Sequence, residues 1–297
     1  MKGRVFTGRA GLLAVCAAGL LAVLAPGARA ETTGLEPLTR RDQLLGWEAV
    51  GRVDLEKGGF CTGALIATDL VLTAAHCVYD DKGAPVDPAE MSFRAGFADG
   101  QSIAESRVLR TVAHPDYNPL TPVSPDNVRH DVAILQLATP IPAAVAAPFT
   151  IVAPGKGDTV SVVSYAQGRE EVLSWQRECT VLDRAEGLIA MDCDVTFGAS
   201  GAPVFDRSGG AAGGRARIVS IISAGGPTDK GKIAYGMELP GVVRELKALL
   251  SAGKSLAEAG VAPAAAPSLP GIRRLGVGDG SSRDIGARFV TPKATTP

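Results

Sequence analysis

The chain lacks the marks of several classes of protein. Its 297 residues include only 5% aromatics, and the formal net charge is -1. Such a balanced charge gives no sign of the basic surface that binds nucleic acid. The one long apolar run, Ala10 to Ala25, is shorter than the roughly 20 residues that span a bilayer. We therefore expect a globular protein that binds neither nucleic acid nor, in any stable way, a membrane.

Cysteine and histidine are also scarce, with five and three residues respectively. No two cysteines have the close spacing of a zinc ribbon and the histidines are scattered, so we expect no metal site. Outside the apolar run, the even number of four cysteines favours two disulfides formed in an oxidising compartment. The count leaves three pairings open for these four, which are Cys61, Cys77, Cys179 and Cys193.

The amino terminus has the pattern of an export signal. Lys2, Arg4 and Arg9 precede the apolar run, and Ala28 and Ala30 are small residues at the two positions that a signal peptidase reads. The pattern predicts that residues 1–30 are removed and that the protein is secreted or periplasmic.

The rest of the chain divides by composition into a short leader at 31–45, a body at 46–250 and a tail at 251–297. The body consists of short Val-, Ile- and Leu-rich runs separated by turn residues, which predicts an all-β sandwich or barrel. Its last part, PGVVRELKALLSAG, has helical spacing and predicts one terminal helix. The tail is rich in Ala, Gly and Pro, which predicts disorder, although residues 287–292, ARFVTP, could dock as an edge strand.

Three segments of the body carry residues suited to nucleophilic catalysis. Ser200 stands in GASGAP, His76 in LVLTAAHC and Asp131 in RHDVAILQL. A serine becomes a good nucleophile when an imidazole accepts its proton, and a buried carboxylate orients that imidazole. The small residues around Ser200 would let the N–H groups of Gly198 and Ser200 approach the oxyanion that forms on a substrate.

These segments, LTAAHC, HDVAILQL and GASGAPV, resemble the signature segments of the chymotrypsin-like serine proteases, and the similarity extends from about residue 47 to 250. Within that superfamily, CDVTFGASGAPVF is more similar to the secreted bacterial branch that includes the glutamyl endopeptidases. The resemblance implies an endopeptidase without a cofactor, built from two six-stranded antiparallel β-barrels that meet near residues 140–155, with the triad between them.

The resemblance also implies a disulfide pairing, and it has two departures. Cys61 would pair with Cys77 across the histidine segment, while Cys179 and Cys193 would brace the wall of the specificity pocket. Ala199 replaces the aspartate that trypsins use to receive a new amino terminus, so that activation switch is absent. Glutamyl endopeptidases bind the acidic substrate side chain with a histidine, and none follows His130 here.

Four further residues are candidates for contact with a substrate. Ser223, Ala224 and Gly225 resemble the strand to which substrates of the family add as an extra strand. Asp194, six residues before Ser200, has the offset of the aspartate that gives trypsin its preference for Arg and Lys. A structural role for Asp194, capping a turn or binding backbone amides, remains the alternative.

The remaining predictions concern the other two histidines and an alternative class of function. His114 lies in AHPDYNP, which resembles a surface loop, and in an extended strand the side chain of His130 would point away from that of Asp131. We therefore expect neither to be the catalytic base. The predicted protein is a monomeric endopeptidase acting on proteins or peptides, and the alternative is a secreted binding protein on a protease scaffold.

Overall fold

The computed structural model describes residues 34–206, 215–229 and 231–256 together with the backbone of Arg273–Arg274. The predicted signal at 1–30 and the predicted edge strand at 287–292 lie outside these residues. Within the described residues no helix is long and apolar enough to cross a membrane.

Antiparallel β-strands are the main regular structure of the described residues. The strands of the first half are β1 (Leu35–Pro37), β2 (Val50–Leu55), β3 (Phe60–Ala67), β4 (Leu70–Thr73), β5 (Met91–Ala95), β6 (Ala104–Ala113) and β7 (Ala133–Leu137). Those of the second half are β8 (Thr159–Ala166), β9 (Arg169–Ala185), β10 (Leu188–Met191), β11 (Pro203–Asp206), β12 (Arg217–Ile221), β13 (Ala224–Thr228), β14 (Gly231–Met237) and β15 (Arg273–Arg274).

The first half closes into a six-stranded barrel in the order β2-β3-β4-β7-β6-β5. Its strands are short and their inward side chains are apolar, so closing the sheet buries one face and removes both exposed edges. Fully buried members of this core include Val50, Val53, Leu72, Phe93 and Ile134.

The second half is a curled sheet of nine strands rather than a barrel closed by backbone pairing. Its order is β12-β11-β8-β9-β10-β14-β13-β15, with β1 added to β9. A buried hydroxyl joins β12 to β14, because Ser220 Oγ donates to Met237 O at 2.9 Å and accepts from Met237 N at 3.0 Å. Gly236 permits this approach, since a Cβ there would lie 2.3 Å from Ile221 O. The second half thus corresponds to the predicted second barrel. Backbone pairing makes it a curled sheet, and the side chain of Ser220 links its strands β12 and β14.

In the described part of the chain, two α-helices lie outside the sheets. Helix α1 (Pro125–Arg129) follows Ser124, whose Oγ accepts from Asn127 N, the usual way to satisfy a first-turn amide. Helix α2 (Leu239–Ser251) is the predicted terminal helix and buries Leu239, Val243, Leu246 and Leu250. The all-β class with one terminal helix is confirmed.

Aromatic rings join the two halves of the molecule. Trp47 contacts Phe205 and Trp175 with ring centroids 4.9 and 5.3 Å apart, and Phe149 lies 4.7 Å from Phe205. The Tyr165 hydroxyl donates to Phe97 O at 2.8 Å. Because these contacts bury large apolar surfaces, they hold the barrel and the sheet in one arrangement.

The predicted leader is part of the second sheet where it is described. Leu35–Pro37 pairs antiparallel with β9, in the register Leu35 to Gln176. Leu38 and Leu44 are buried in the core. Residues 34–45 thus contribute a strand and apolar side chains to the folded body.

Candidate active site

His76 is held at the edge of the barrel by a disulfide bond. It follows β4 in a short 3-10 helix, Ala75–Val78, whose residues are all buried. Cys77, the next residue, is bonded to Cys61 on β3. The backbone of His76 is therefore held by β4 before it and by the disulfide bond after it. This suits a side chain that must keep its orientation.

Asp131 is a buried carboxylate that is fully occupied by donors. It lies between α1 and β7 and is only 2% exposed. Its oxygens accept the His76 N–H at 2.8 Å, His76 Nδ1 at 2.8 Å and Ser223 Oγ at 2.6 Å. A buried carboxylate needs such donors to offset lost hydration. Because an ionised carboxylate only accepts, Nδ1 carries the hydrogen and the lone pair of His76 is on Nε2.

Ser200 lies between the histidine segment and the strand that leads to Ser223. Its carbonyl accepts from Thr62 N at 2.9 Å, next to the disulfide of Cys61. The following residue, Gly201, donates its N–H to Ile222 O at 2.8 Å. Ser200 is fully buried, and Nε2 of His76 is buried without a hydrogen-bond partner in the described part of the chain. The three predicted residues are therefore brought into one region from three separate segments.

The glycines around Ser200 are required by the backbone and by close packing. Gly201 has a φ of +72°, and a Cβ there would lie 2.2 Å from Thr73 Oγ1 and 2.4 Å from Thr62 O. Gly198 has a φ of +88°, and a Cβ there would lie 2.5 Å from the Phe60 ring. Positive φ values and such contacts favour glycine at both positions. The small residues thus serve the fold as well as the predicted approach of a substrate.

The N–H groups of Gly198 and Ser200 are the predicted oxyanion donors. Thr62 Oγ1 donates to Gly198 O at 3.0 Å, and Ala199 N donates to Thr196 O at 3.0 Å. These bonds fix the turn that carries Gly198. Neither of these bonds uses the N–H of Gly198, which stays the predicted donor to the oxygen of a ligand.

Asp194 has a partner from its own chain. Its Oδ2 accepts from Lys232 Nζ at 2.6 Å, and its backbone N donates to Gln176 Oε1 at 2.7 Å. Its side chain is 33% exposed. A trypsin-like role for Asp194 would require its carboxylate to receive a cation from the substrate. The structure instead neutralises Asp194 with Lys232, which lies 38 residues away in the sequence.

A second cation, Arg169, lies in the electrostatic field of Asp194. Its guanidinium donates to Ser164 O at 2.9 Å and to Ser164 Oγ at 3.1 Å. Burial lowers the pKa of Arg169 to about 10, and the charges of Asp194 and Glu170 act in the opposite direction. Arg169 is therefore still charged at neutral pH, so two cations accompany the single carboxylate of Asp194.

Two of the residues predicted to contact a substrate backbone, Ala224 and Gly225, begin β13, and the third, Ser223, immediately precedes it. Ala224 is fully buried at the start of β13, and Gly225 follows it. A Cβ on Gly225 would lie 2.5 Å from Val195 Cγ2, so a side chain at this position would collide with Val195. Ser223 was predicted for its main chain, whereas its hydroxyl binds Asp131. Sequence reasoning missed this role because only the fold brings residues 92 positions apart together.

The other two histidines lie together, apart from Ser200. The rings of His114 and His130 stack with centroids 4.4 Å apart. His130 ends α1 with φ of -102° and ψ of 0°, so the extended conformation expected for it is wrong. Burial and the neighbouring His130 lower the pKa of His114.

The second disulfide, Cys179–Cys193, joins β9 to the segment that precedes Asp194. Both cysteines are buried in the core of the second sheet. The pairing is the one that the family resemblance implied, and it anchors the chain that leads through Asp194 to Ser200.

The comparisons with known proteins agree with this architecture. A family model described as a trypsin-like peptidase domain matches residues 61–213, slightly more than half of the chain. The match includes His76, Asp131 and Ser200. The chain belongs to the family of trypsin-like peptidase domains.

Individual relatives match over shorter stretches. The chain is 34% identical to trypsin of Phaedon cochleariae over 83 residues, which cover 28% of this chain and 29% of that protein. It is 35% identical to cathepsin G of Mus musculus over 77 residues, 26% of this chain and 25% of that protein. The chain thus spans less than a third of the length of these curated relatives.

A solved structure extends the similarity of fold. A Glu endopeptidase in complex with MPD aligns with a TM-score of 0.58 at 20% sequence identity, covering 75% of this chain and 98% of that chain. At this identity the alignment establishes the chymotrypsin-like fold, which confirms the predicted fold class.

Proposed function

We propose that the protein is a secreted or periplasmic serine endopeptidase that uses Ser200, His76 and Asp131. The observation that carries the proposal is the buried set of hydrogen bonds on Asp131, which holds His76 with Nδ1 protonated. Its consequence is a lone pair on Nε2, the atom that must accept a proton from a nucleophile. The export signal predicted at 1–30 and the two disulfides support secretion.

The proposed reaction is acyl transfer in two halves. Ser200 Oγ attacks the carbonyl carbon of a peptide bond while its proton passes to Nε2 of His76, and the carbonyl oxygen becomes an oxyanion. The N–H groups of Gly198 and Ser200 would donate to that oxygen. The C–N bond then breaks as His76 returns the proton to the leaving amine. Water, deprotonated by His76, hydrolyses the ester on Ser200 and releases the acid.

Labelling with a fluorophosphonate probe tests this function against the alternative of a binding protein on a protease scaffold. We expect the probe to form one covalent adduct, which peptide mapping places on Ser200, and the purified chain to cleave an unfolded protein substrate. The matched control is Ser200→Ala, which should take up no probe. A folded chain that reacts at no serine and cleaves no substrate would support the binding protein instead.

The pairing of Asp194 with Lys232 predicts the response of substrate preference to a substitution. In the parent, the neutralised carboxylate should give Arg or Lys before the scissile bond little advantage over Leu. Lys232→Gln leaves Asp194 without its cation, so we expect the ratio of kcat/KM for Arg and Leu substrates to rise about 1.5-fold to fivefold, the range for a partly exposed ion pair.

The control for this substitution is Lys156→Gln, which removes another exposed lysine from an ion pair, with Asp183 at 2.9 Å. The measurement is kcat/KM on peptides that differ only at the residue before the scissile bond. If Lys232→Gln leaves the ratio at the parental value, Asp194 does not contact that side chain.

A further inference from the structure

The strand β13 is paired on its outer edge with a segment of the protein's own tail. Arg273–Arg274 forms β15, which runs antiparallel to β13 with Ala224 opposite Arg274 and Gly225 opposite Arg273. On its other edge, β13 pairs with β14 from Ala224 to Thr228. In the described structure, β15 thus ends the sheet at the position next to Ala224 and Gly225.

The same two residues are the predicted contacts for a substrate backbone. A peptide that adds to a sheet edge uses the unpaired N–H and C=O groups of that edge, and each of these groups accepts one partner strand at a time. Docking of Arg273–Arg274 and docking of a substrate on Ala224 and Gly225 are therefore mutually exclusive. The position is also close to the candidate site, because Ser223, the residue before Ala224, binds Asp131.

We propose that the segment containing Arg273–Arg274 is an internal competitive inhibitor, which occupies the substrate-binding edge of β13 and must leave before a peptide can bind. This inference rests on the proposed function of the site. The occupant is a segment of the same chain, separated from the buried Leu256 by residues 257–272. A tethered segment acts at an effective concentration on the order of 1 mM, so weak backbone pairing is enough to hold it in place for much of the time.

Pairing of β15 with β13 requires backbone N–H groups in the tail. Strand addition depends on backbone N–H donors, and proline has none and is poorly tolerated in a paired strand. Substituting both Arg273→Pro and Arg274→Pro in the full chain should therefore release β13. The matched control is the full chain with Ser281→Pro and Ser282→Pro, which introduces the same number of prolines outside β15.

Kinetics with a short peptide substrate give the first test. Because a competitor of substrate binding changes KM and leaves kcat unchanged, we expect the Arg273→Pro, Arg274→Pro chain to lower KM about twofold to tenfold at constant kcat. The Ser281→Pro, Ser282→Pro chain should keep the parental KM. Equal KM values for all three chains, or a change in kcat alone, would overturn the proposal.

Hydrogen exchange gives a test that does not depend on activity. With Ser200→Ala as the common background, which prevents self-cleavage, the amides of peptides covering Ala224 to Thr228 should exchange faster in the Arg273→Pro, Arg274→Pro chain than in the control. Equal exchange would overturn the tail proposal even if the protein is a peptidase. Faster exchange, together with a parent chain (Ser200 present) that does not react with fluorophosphonate, would leave the pairing established and contradict the proposed function alone.

Discussion

Replacing Ser200 with alanine is expected to lower kcat/KM for a peptide ester by at least about 10⁴-fold while the protein stays folded. The substitution removes only the buried hydroxyl, whereas the backbone bonds of residues 200 and 201 to Thr62 and Ile222 remain. His76→Ala should cause a loss of similar size, because the nucleophile and its base act in the same step. The double variant should be no less active than either single variant.

The measurement is kcat/KM for each chain, with thermal unfolding as a check that the variants are folded. His76→Ala also removes the Nδ1 donor to Asp131, although the backbone N–H of residue 76 remains, so some loss of stability is expected there. Ser200→Ala is therefore the decisive variant. If it hydrolyses esters at near the parental rate, another residue is the nucleophile.

The residues of the candidate triad could be predicted because each one stands in a short, distinctive segment. LTAAHC, HDVAILQL and GASGAPV each combine a reactive side chain with strand-like or small neighbours, so their order along the chain predicts which residues must meet. The β-structure was predictable for a similar reason, since the apolar runs are the length of single strands. The catalytic roles of these residues stay predictions that the variants test.

The partners of these residues could not be predicted, because they come from positions with no local signal. Ser223 stands in a run that predicts only an ordinary strand, and only the fold brings its hydroxyl to Asp131. Lys232 looks like an exposed lysine in a loop, yet it pairs with Asp194. The closure of the second sheet through Ser220, and the pairing of the tail with β13, likewise depend on contacts between distant parts of the sequence.

The hydrogen bonds on Asp131 predict the second large effect. Asp131→Asn keeps the size of the side chain but replaces one acceptor oxygen with an NH₂ group, which cannot accept from His76 N, His76 Nδ1 and Ser223 Oγ together. The favourable arrangement for the amide places its NH₂ toward Nδ1, so that Nδ1 becomes the acceptor and Nε2 carries the hydrogen. A histidine in that tautomer cannot take the proton of Ser200.

We therefore expect Asp131→Asn to lower kcat/KM at neutral pH by about 10⁴-fold, close to the loss caused by removing the nucleophile. The matched control is Ser223→Ala, which removes one donor to Asp131 but leaves both of its bonds to His76. Its loss should be about tenfold or less, because the tautomer of His76 is unchanged. Both chains should remain folded, as checked by thermal unfolding. An Asp131→Asn chain that retains a tenth of the parental activity would mean that Asp131 supports the fold around His76 and does not control its protonation.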